Sequence, residues 1–185
     1  MRPLLIVDLE ATCWERPEHD PQRMETIEIG AVLADPQRGE ALREYQGFVR
    51  PVRAPQLSDF CRRLTTIRQA DVEAAPPFPE ALARFVAWIG DPAGVRLASW
   101  GYYDKRQLLQ DCAFHAVPFP FDEEHVNLKR MCSATLHLKP AGLAQALAKA
   151  GLELRGTHHR GLDDARNMWR LVQRLGVARG NGDVP

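Results

Sequence analysis

At 185 residues, the chain is long enough to bury a full hydrophobic core within one domain. Its 24 Lys+Arg balance its 24 Asp+Glu, so no net basic field advertises a polyanionic partner; this argues against a simple nucleic-acid-binding module, but not against an enzyme whose acidic site is offset by cations. Cys13, Cys61, Cys112 and Cys132 form no CxxC pair and lack zinc-like spacing, and no apolar run is long enough for a membrane span or a signal-peptide core, so the expectation is free thiols in a cytoplasmic protein.

The first element is a strand over residues 4–9. Side chains alternate across a strand, so Asp8 and Glu10 project to one face behind Leu4 and Ile6, while Leu5, Val7 and Leu9 fill the other. Both faces begin apolar, which marks a central, buried strand. Two carboxylates at the mouth of such a strand repel one another unless a positive charge lies between them, and a divalent cation is the commonest answer. The other reading is that the strand ends at Asp8 and both acids are solvated.

A polar loop over 15–23 precedes a second strand over 25–34, in which Ile27, Ile29 and Ala31 alternate against Glu28 and Gly30. The turn at 35–39 leads to a third strand over 42–49, so the domain opens as an antiparallel meander. Residues 50–58 read as an extended, proline-punctuated connection. Helices follow over 66–74 and 79–89, the latter with Leu82, Phe85, Val86 and Ile89 at helical spacing. A short strand over 95–100, a helix over 103–114 and a strand near 125–128 come next. Helices over 142–150, stopped by Gly151, and over 162–175 complete a mixed-sheet α/β domain spanning 1–177, with 178–185 read as a disordered tail.

Two further acids face inward. The last helix carries a core stripe of Met168, Leu171, Val172 and Leu175, and Asp164, four residues before Met168, lies on it. An aspartate on a core stripe is costly unless paired or metal-bound. Asp163, about 100° around the helix, reads as a first-turn acid favoured by the helix dipole. Asp104 repeats the pattern, four residues before Leu108 in the first turn of its helix; a helix cap is its simpler explanation if taken alone. His159, on the loop five residues before Asp164, is a candidate base, because an imidazole titrates near pH 6.5. Its neighbour His158 reads as structural or exposed.

Arg155, Arg160, Arg166, Arg170 and Arg174 cluster around the last helix, either as a solvated face or as a phosphate track, with Arg160 the strongest candidate for a phosphate contact because it adjoins His159. Trp14, Trp100 and Tyr102 are candidates for stacking on bases, whereas Trp88 lies on a core stripe.

Asp8-x-Glu10, Asp104 and His159-x-x-x-x-Asp164 resemble the three motifs of the DEDDh 3′–5′ exonucleases. More narrowly, Val7-Asp8-Leu9-Glu10-Ala11-Thr12-Cys13, Leu57-Ser58-Asp59-Phe60-Cys61, Ala75-Pro76-Pro77-Phe78-Pro79, Ser99-Trp100-Gly101, Asn127-Leu128-Lys129 and Gly161-Leu162-Asp163-Asp164-Ala165-Arg166-Asn167 resemble the enhanced-RNAi (three-prime histone mRNA) exonuclease branch. The resemblance runs from about Leu4 to Leu175. It implies a ribonuclease-H-like mixed β-sheet, with its first three strands antiparallel, flanked by α-helices.

Carried over by position, the resemblance implies that Asp8, Glu10, Asp104 and Asp164 hold two Mg2+ or Mn2+ ions. Glu10 and His159 would be catalytic, with His159 as general base, and Ala11, Thr12, Leu64, Thr65, Trp100, His159 and Arg160 would contact substrate. The implied substrate is single-stranded nucleic acid with a free 3′ end, RNA favoured over DNA, and the implied product a nucleoside 5′-monophosphate. Alternatives are a catalytically silent nucleic-acid-binding or interaction domain, a proofreading-like DNA exonuclease and an oligoribonuclease. The chain departs from the family pattern at Tyr102 and Tyr103, where an acid and a tryptophan are usual, and at Thr66, where glycine is usual.

Overall fold

The structure is a computed structural model that describes residues 2–176; the expected tail and residue 177 lie outside the described residues. Five strands form one sheet: β1 (Leu4–Ala11), β2 (Thr26–Asp35), β3 (Glu40–Phe48), β4 (Arg96–Ser99) and β5 (His125–Asn127), in the order β3-β2-β1-β4-β5. The β1–β2 and β2–β3 pairs are antiparallel, and β1–β4 and β4–β5 are parallel. This is the mixed sheet expected from the sequence, with its meander intact.

Seven helices are present among the described residues: α1 (Asp59–Thr65), α2 (Gln69–Glu73), α3 (Phe78–Ile89), α4 (Tyr103–Phe114), α5 (Leu128–Thr135), α6 (Leu143–Lys149) and α7 (Gly161–Leu175). They cover both faces of the sheet. Leu5, Val7 and Leu9 pack with Phe78, Leu82 and Phe85 of α3 and Leu108 of α4. Leu4 and Ile6 pack instead with α5, α6 and the Met168, Leu171 and Val172 stripe of α7. The period-2 split read from β1 is therefore the division between the two cores, and each fully buried Leu or Ile contributes about 1.5–3 kcal/mol. Trp88 sits at the edge of the first core against Tyr45 and Phe85, as its stripe position indicates.

Three helices differ from the sequence reading: α2 is shorter than expected, and α1 and α5 were not expected. The helix expected over 66–74 is only Gln69–Glu73, and Thr66 instead closes α1, in the left-handed region at φ 59°. α1 begins at Ser58, whose Oγ accepts the Cys61 N–H at 3.0 Å. α5 likewise begins at a cap, where Asn127 Oδ1 accepts the Arg130 N–H at 2.9 Å. Phe60 and Leu64 in α1, and Leu128, Met131 and Cys132 in α5, do fall at helical spacing, but the period lasts only about two turns, and the caps mark where each helix begins.

One contact sets the height of α7 over the sheet. Gly30 pairs with Asp8 across β1 and β2, and a Cβ at Gly30 would lie 1.9 Å from the Gly161 carbonyl carbon. A Cβ at Gly161 would lie 2.8 Å from the Asp8 carbonyl oxygen. The first turn of α7 thus rests directly on the backbone of both strands.

Gly30→Ala is expected to destabilise the protein by about 3 kcal/mol or more, because backbone rather than a flexible side chain must move; urea unfolding measures it, and a cost below 1 kcal/mol would contradict the contact. Thr66→Gly is expected to stabilise by about 0.5–1 kcal/mol, since relief of the left-handed strain outweighs the added chain entropy. Thermal melting should register this as a rise of about 1–4 °C.

Candidate active site

Asp8 and Glu10 sit at the end of β1 where the sheet opens. β4 pairs with β1 only from Leu4 to Ile6, so the backbone beyond is free of that partner. Asp104, in the first turn of α4, fills the gap: its Oδ1 accepts the Leu9 N–H at 3.0 Å. Asp164 projects from the first turn of α7 and is only 3 % exposed. Its Oδ2 accepts the His159 N–H at 2.9 Å, and His158 Nδ1 lies 3.0 Å from the same oxygen. Carboxylate oxygens of Asp8, Glu10 and Asp164 lie within 4.8 Å of one another.

These acids border a cavity of about 360 Å3, together with Ala11, Leu64, Trp100, His158 and His159. The structure therefore brings Asp8, Glu10, Asp104, Asp164, His159, Ala11, Leu64 and Trp100 to one place. Trp100 is held there by its Nε1, which donates to the Ala141 carbonyl at 3.1 Å. Leu9, Cys13, Met24, Tyr103, Gly142 and Leu143 complete the wall. Tyr103 is one of the departures from the family pattern and Leu9 and Cys13 lie within the first motif, whereas Met24, Gly142 and Leu143 come from segments far apart in the chain and carried no signal.

Three expected substrate residues are not on that wall. Thr12 is buried, and its Oγ1 accepts the Glu25 N–H at 3.0 Å. Thr65 is buried too, its Oγ1 donating to the Cys61 carbonyl at 2.9 Å. Arg160 turns to Glu28, with Nε 3.1 Å from Oε2 and Nη2 3.0 Å from Oε1. Of the other helix arginines, Arg166 pairs with Glu44 at 2.6 Å, Arg170 Nη1 donates to the Glu153 carbonyl at 2.9 Å, and Arg174 Nε donates to the Ala150 carbonyl at 3.3 Å. These three tie α7 to its surroundings. Asp163 accepts the Thr157 N–H at 2.9 Å and pairs with Arg166, the structural role its position gave it.

Glu28 is a buried neighbour of the site that the sequence hid. It is fully buried, stands opposite Glu10 in register, and accepts the Gly161 N–H at 3.0 Å at the N-terminus of α7. Its alternation with Ile27 and Ile29 resembles that of any half-exposed strand; only the helix laid over it makes it buried.

The electrostatics call for a cation. Burial pushes Asp8 well above the usual carboxylate range, and the negative charges of Asp104, Glu10, Asp164 and Glu28 push the same way. Burial, then Glu28 and Asp164, raise Glu10 to about 9. Burial raises Asp104 to about 6, with the Leu9 N–H opposing it. Burial, then His158, push His159 below the ordinary imidazole value, with Asp164 opposing them. Clustered oxygen donors with no cation among them fit a divalent metal ion.

The exonuclease (RNase_T) family model matches residues 5–172. The chain is 31% identical over 196 residues to ERI1 exoribonuclease 2 of Homo sapiens, covering 92% of this chain and 28% of that protein. It is 31% identical over 182 residues to 3′-5′ exoribonuclease 1 of Homo sapiens, covering 93% of this chain and 52% of that protein. The chain thus spans about half, or less, of these relatives' length. The nuclease domain of 3′hExo, a DEDDh family member solved bound to rAMP, superposes with a TM-score of 0.87 at 30% identity, over 94% of this chain and 91% of that one. With its acids and histidine converging on one cavity and the family model spanning nearly the whole described chain, the protein belongs to the exonuclease family, on its DEDDh branch beside ERI1 and 3′hExo.

Proposed function

We propose that the chain is a metal-dependent 3′–5′ exonuclease that hydrolyses single-stranded RNA, in preference to DNA, to nucleoside 5′-monophosphates. The observation that carries this reading is the meeting of the Asp8, Glu10 and Asp164 carboxylates in a cavity that His159 also borders. The exoribonuclease names of the relatives and the rAMP in the 3′hExo nuclease domain support RNA and a mononucleotide product.

Asp8, Glu10, Asp104 and Asp164 would hold two Mg2+ or Mn2+ ions, which would lower the cost of negative charge on the attacking and leaving oxygens. The protein's own groups supply the rest. His159, whose burial favours the neutral imidazole, accepts the proton of the attacking water and returns it to solvent through its partly exposed ring. The Leu9 N–H holds Asp104, while the His159 N–H and the His158 ring hold Asp164, so the donors are oriented before substrate arrives. Trp100 and Leu64 offer apolar walls against which a terminal base can stack.

His159→Ala is expected to lower kcat on end-labelled single-stranded RNA by about 10²–10⁴-fold in Mg2+, and Asp8→Asn to remove measurable cleavage while leaving the fold intact by circular dichroism. Full Mg2+-dependent activity in either variant would sink the reading. A second expectation concerns the metal-free protein. Because Glu10 is raised to about 9 in the folded chain, the folded state holds a proton that the unfolded state has released above its ordinary range near 4.3. Stability contributed by that proton is complete below the unfolded value and is lost as pH rises towards 9. In EDTA the melting temperature should therefore fall between pH 5.5 and 8.5 by about 2–4 °C or more. Glu10→Gln should flatten that slope, and Mg2+ should stabilise the wild type more at pH 8.5 than at 5.5.

A further inference from the structure

We propose that His158, His159 and Asp164 form a transition-metal site that shares Asp164 with the all-carboxylate set, and that Zn2+ bound there holds the protein inactive. The inhibitory consequence rests on the exonuclease reading; the binding does not.

Neighbouring side chains on extended backbone point to opposite sides. His159 breaks that rule with φ 62°, and its ring stacks on that of His158 with centroids 4.0 Å apart and an interplanar angle of 24°. His158 Nδ1 also lies 3.1 Å from Oδ1 and 3.0 Å from Oδ2 of Asp164. One donor atom from each of the three residues falls within 4.8 Å of the others. Two imidazoles and a carboxylate are the donor set of an open zinc site, with three protein ligands and one exchangeable position. The His158 side chain is 41% exposed, so an ion reaches it without opening the fold.

Donor chemistry separates the two sites. Oxygen-only Asp8, Glu10 and Asp164 suit magnesium or manganese, whereas imidazole favours zinc, nickel and copper. Asp164 belongs to both sets. A zinc ion on the histidine side takes Asp164 from the carboxylate set, and it ties up the imidazole of His159. Orientation is already provided: the His159 N–H holds Asp164 at 2.9 Å, and the next residue, Arg160, is anchored on Glu28.

The test titrates the metal-free full chain with Co2+, read by the visible absorption of low-coordinate cobalt, followed by displacement with Zn2+. One equivalent of Co2+ should give the band in the wild type and in Asp8→Asn, and the band should vanish at that concentration in His158→Ala and His158→Gln, each checked for folding by circular dichroism. In parallel, the Zn2+ concentration that halves Mg2+-dependent RNA cleavage, normalised to each protein's own zinc-free rate, should rise at least about ten-fold in both His158 variants. A band lost in Asp8→Asn but kept in His158→Gln would place the ion on the carboxylates and overturn the proposal, as would a wild type with no band. Should the cobalt pattern hold in a protein that cleaves neither RNA nor DNA, the site stands and the exonuclease reading falls.

Discussion

The contact between Gly30 and Gly161 sets the distances on which the rest of the site depends. It is a backbone-to-backbone approach, so neither partner can yield by changing a rotamer. A Cβ on Gly30 would sit 1.9 Å from the Gly161 carbonyl carbon, and one on Gly161 would sit 2.8 Å from Asp8 O. Asp8 is part of the contact, and Asp164 is three residues beyond it in a rigid helix. The separation of their carboxylates is therefore a consequence of how two glycines let a helix rest on a sheet. Sites borne on such elements hold their geometry more tightly than sites borne on loops. Glu28 acts at the same point by charge: it binds the Gly161 N–H and Arg160, and so fixes where the loop carrying His159 joins the helix.

The acids differ less in burial than in what answers them. Asp104 has the Leu9 N–H, Asp164 has the His159 N–H and the His158 ring, and Glu28 has Arg160. With its donor, Asp104 rises only to about 6, whereas Glu10, facing Glu28 and Asp164, rises to about 9. The supported acids form a rim, and the strand pair between them is left to a cation. Burying like charges costs stability in the metal-free protein, and that cost is recovered only when the ligand arrives.

What could be read from the chain followed the strength of its periods. Leu5, Val7 and Leu9 against Leu4 and Ile6 gave the two faces of β1 because both are buried, and the Met168 stripe gave the inward face of α7. Asp164 stood out because it broke that stripe. α1 and α5, seven and eight residues long and begun by the caps Ser58 and Asn127, carry their period (Phe60 and Leu64; Leu128, Met131 and Cys132) over only about two turns, too little to stand out from the segments beside them. Glu28, Thr12 and Thr65 show the limit of reading outward from motifs. Whether such a residue meets substrate or structure is decided by its packing: α7 lies over Glu28 from far along the chain, the Glu25 backbone holds Thr12, and Thr65 bonds the Cys61 carbonyl within its own helix. Arg160 adjoins His159 in sequence, yet its guanidinium is spent on a buried acid in β2.

The acids and the walls of the cavity come from different parts of this molecule. The acids come from β1, α4 and α7, which are tied to the sheet. The walls come from α1 through Leu64, the end of β4 through Trp100, the start of α6 through Leu143, and the segment before β2 through Met24. The Trp100 bond to the Ala141 carbonyl couples two of those walls, so the end of β4 and the start of α6 keep a fixed spacing across the cavity. Of the two tyrosines that depart from the family pattern, only Tyr103 borders the cavity; Tyr102 is 52 % exposed and leans on His125. A change of residue at Tyr103 alters the shape of the cavity without touching a carboxylate. Thr66, the third departure, acts differently, because its left-handed backbone ends the helix that presents Leu64. Substitution there reaches the wall through backbone geometry, while the acidic floor, held by the glycine contact and by Glu28, stays in place.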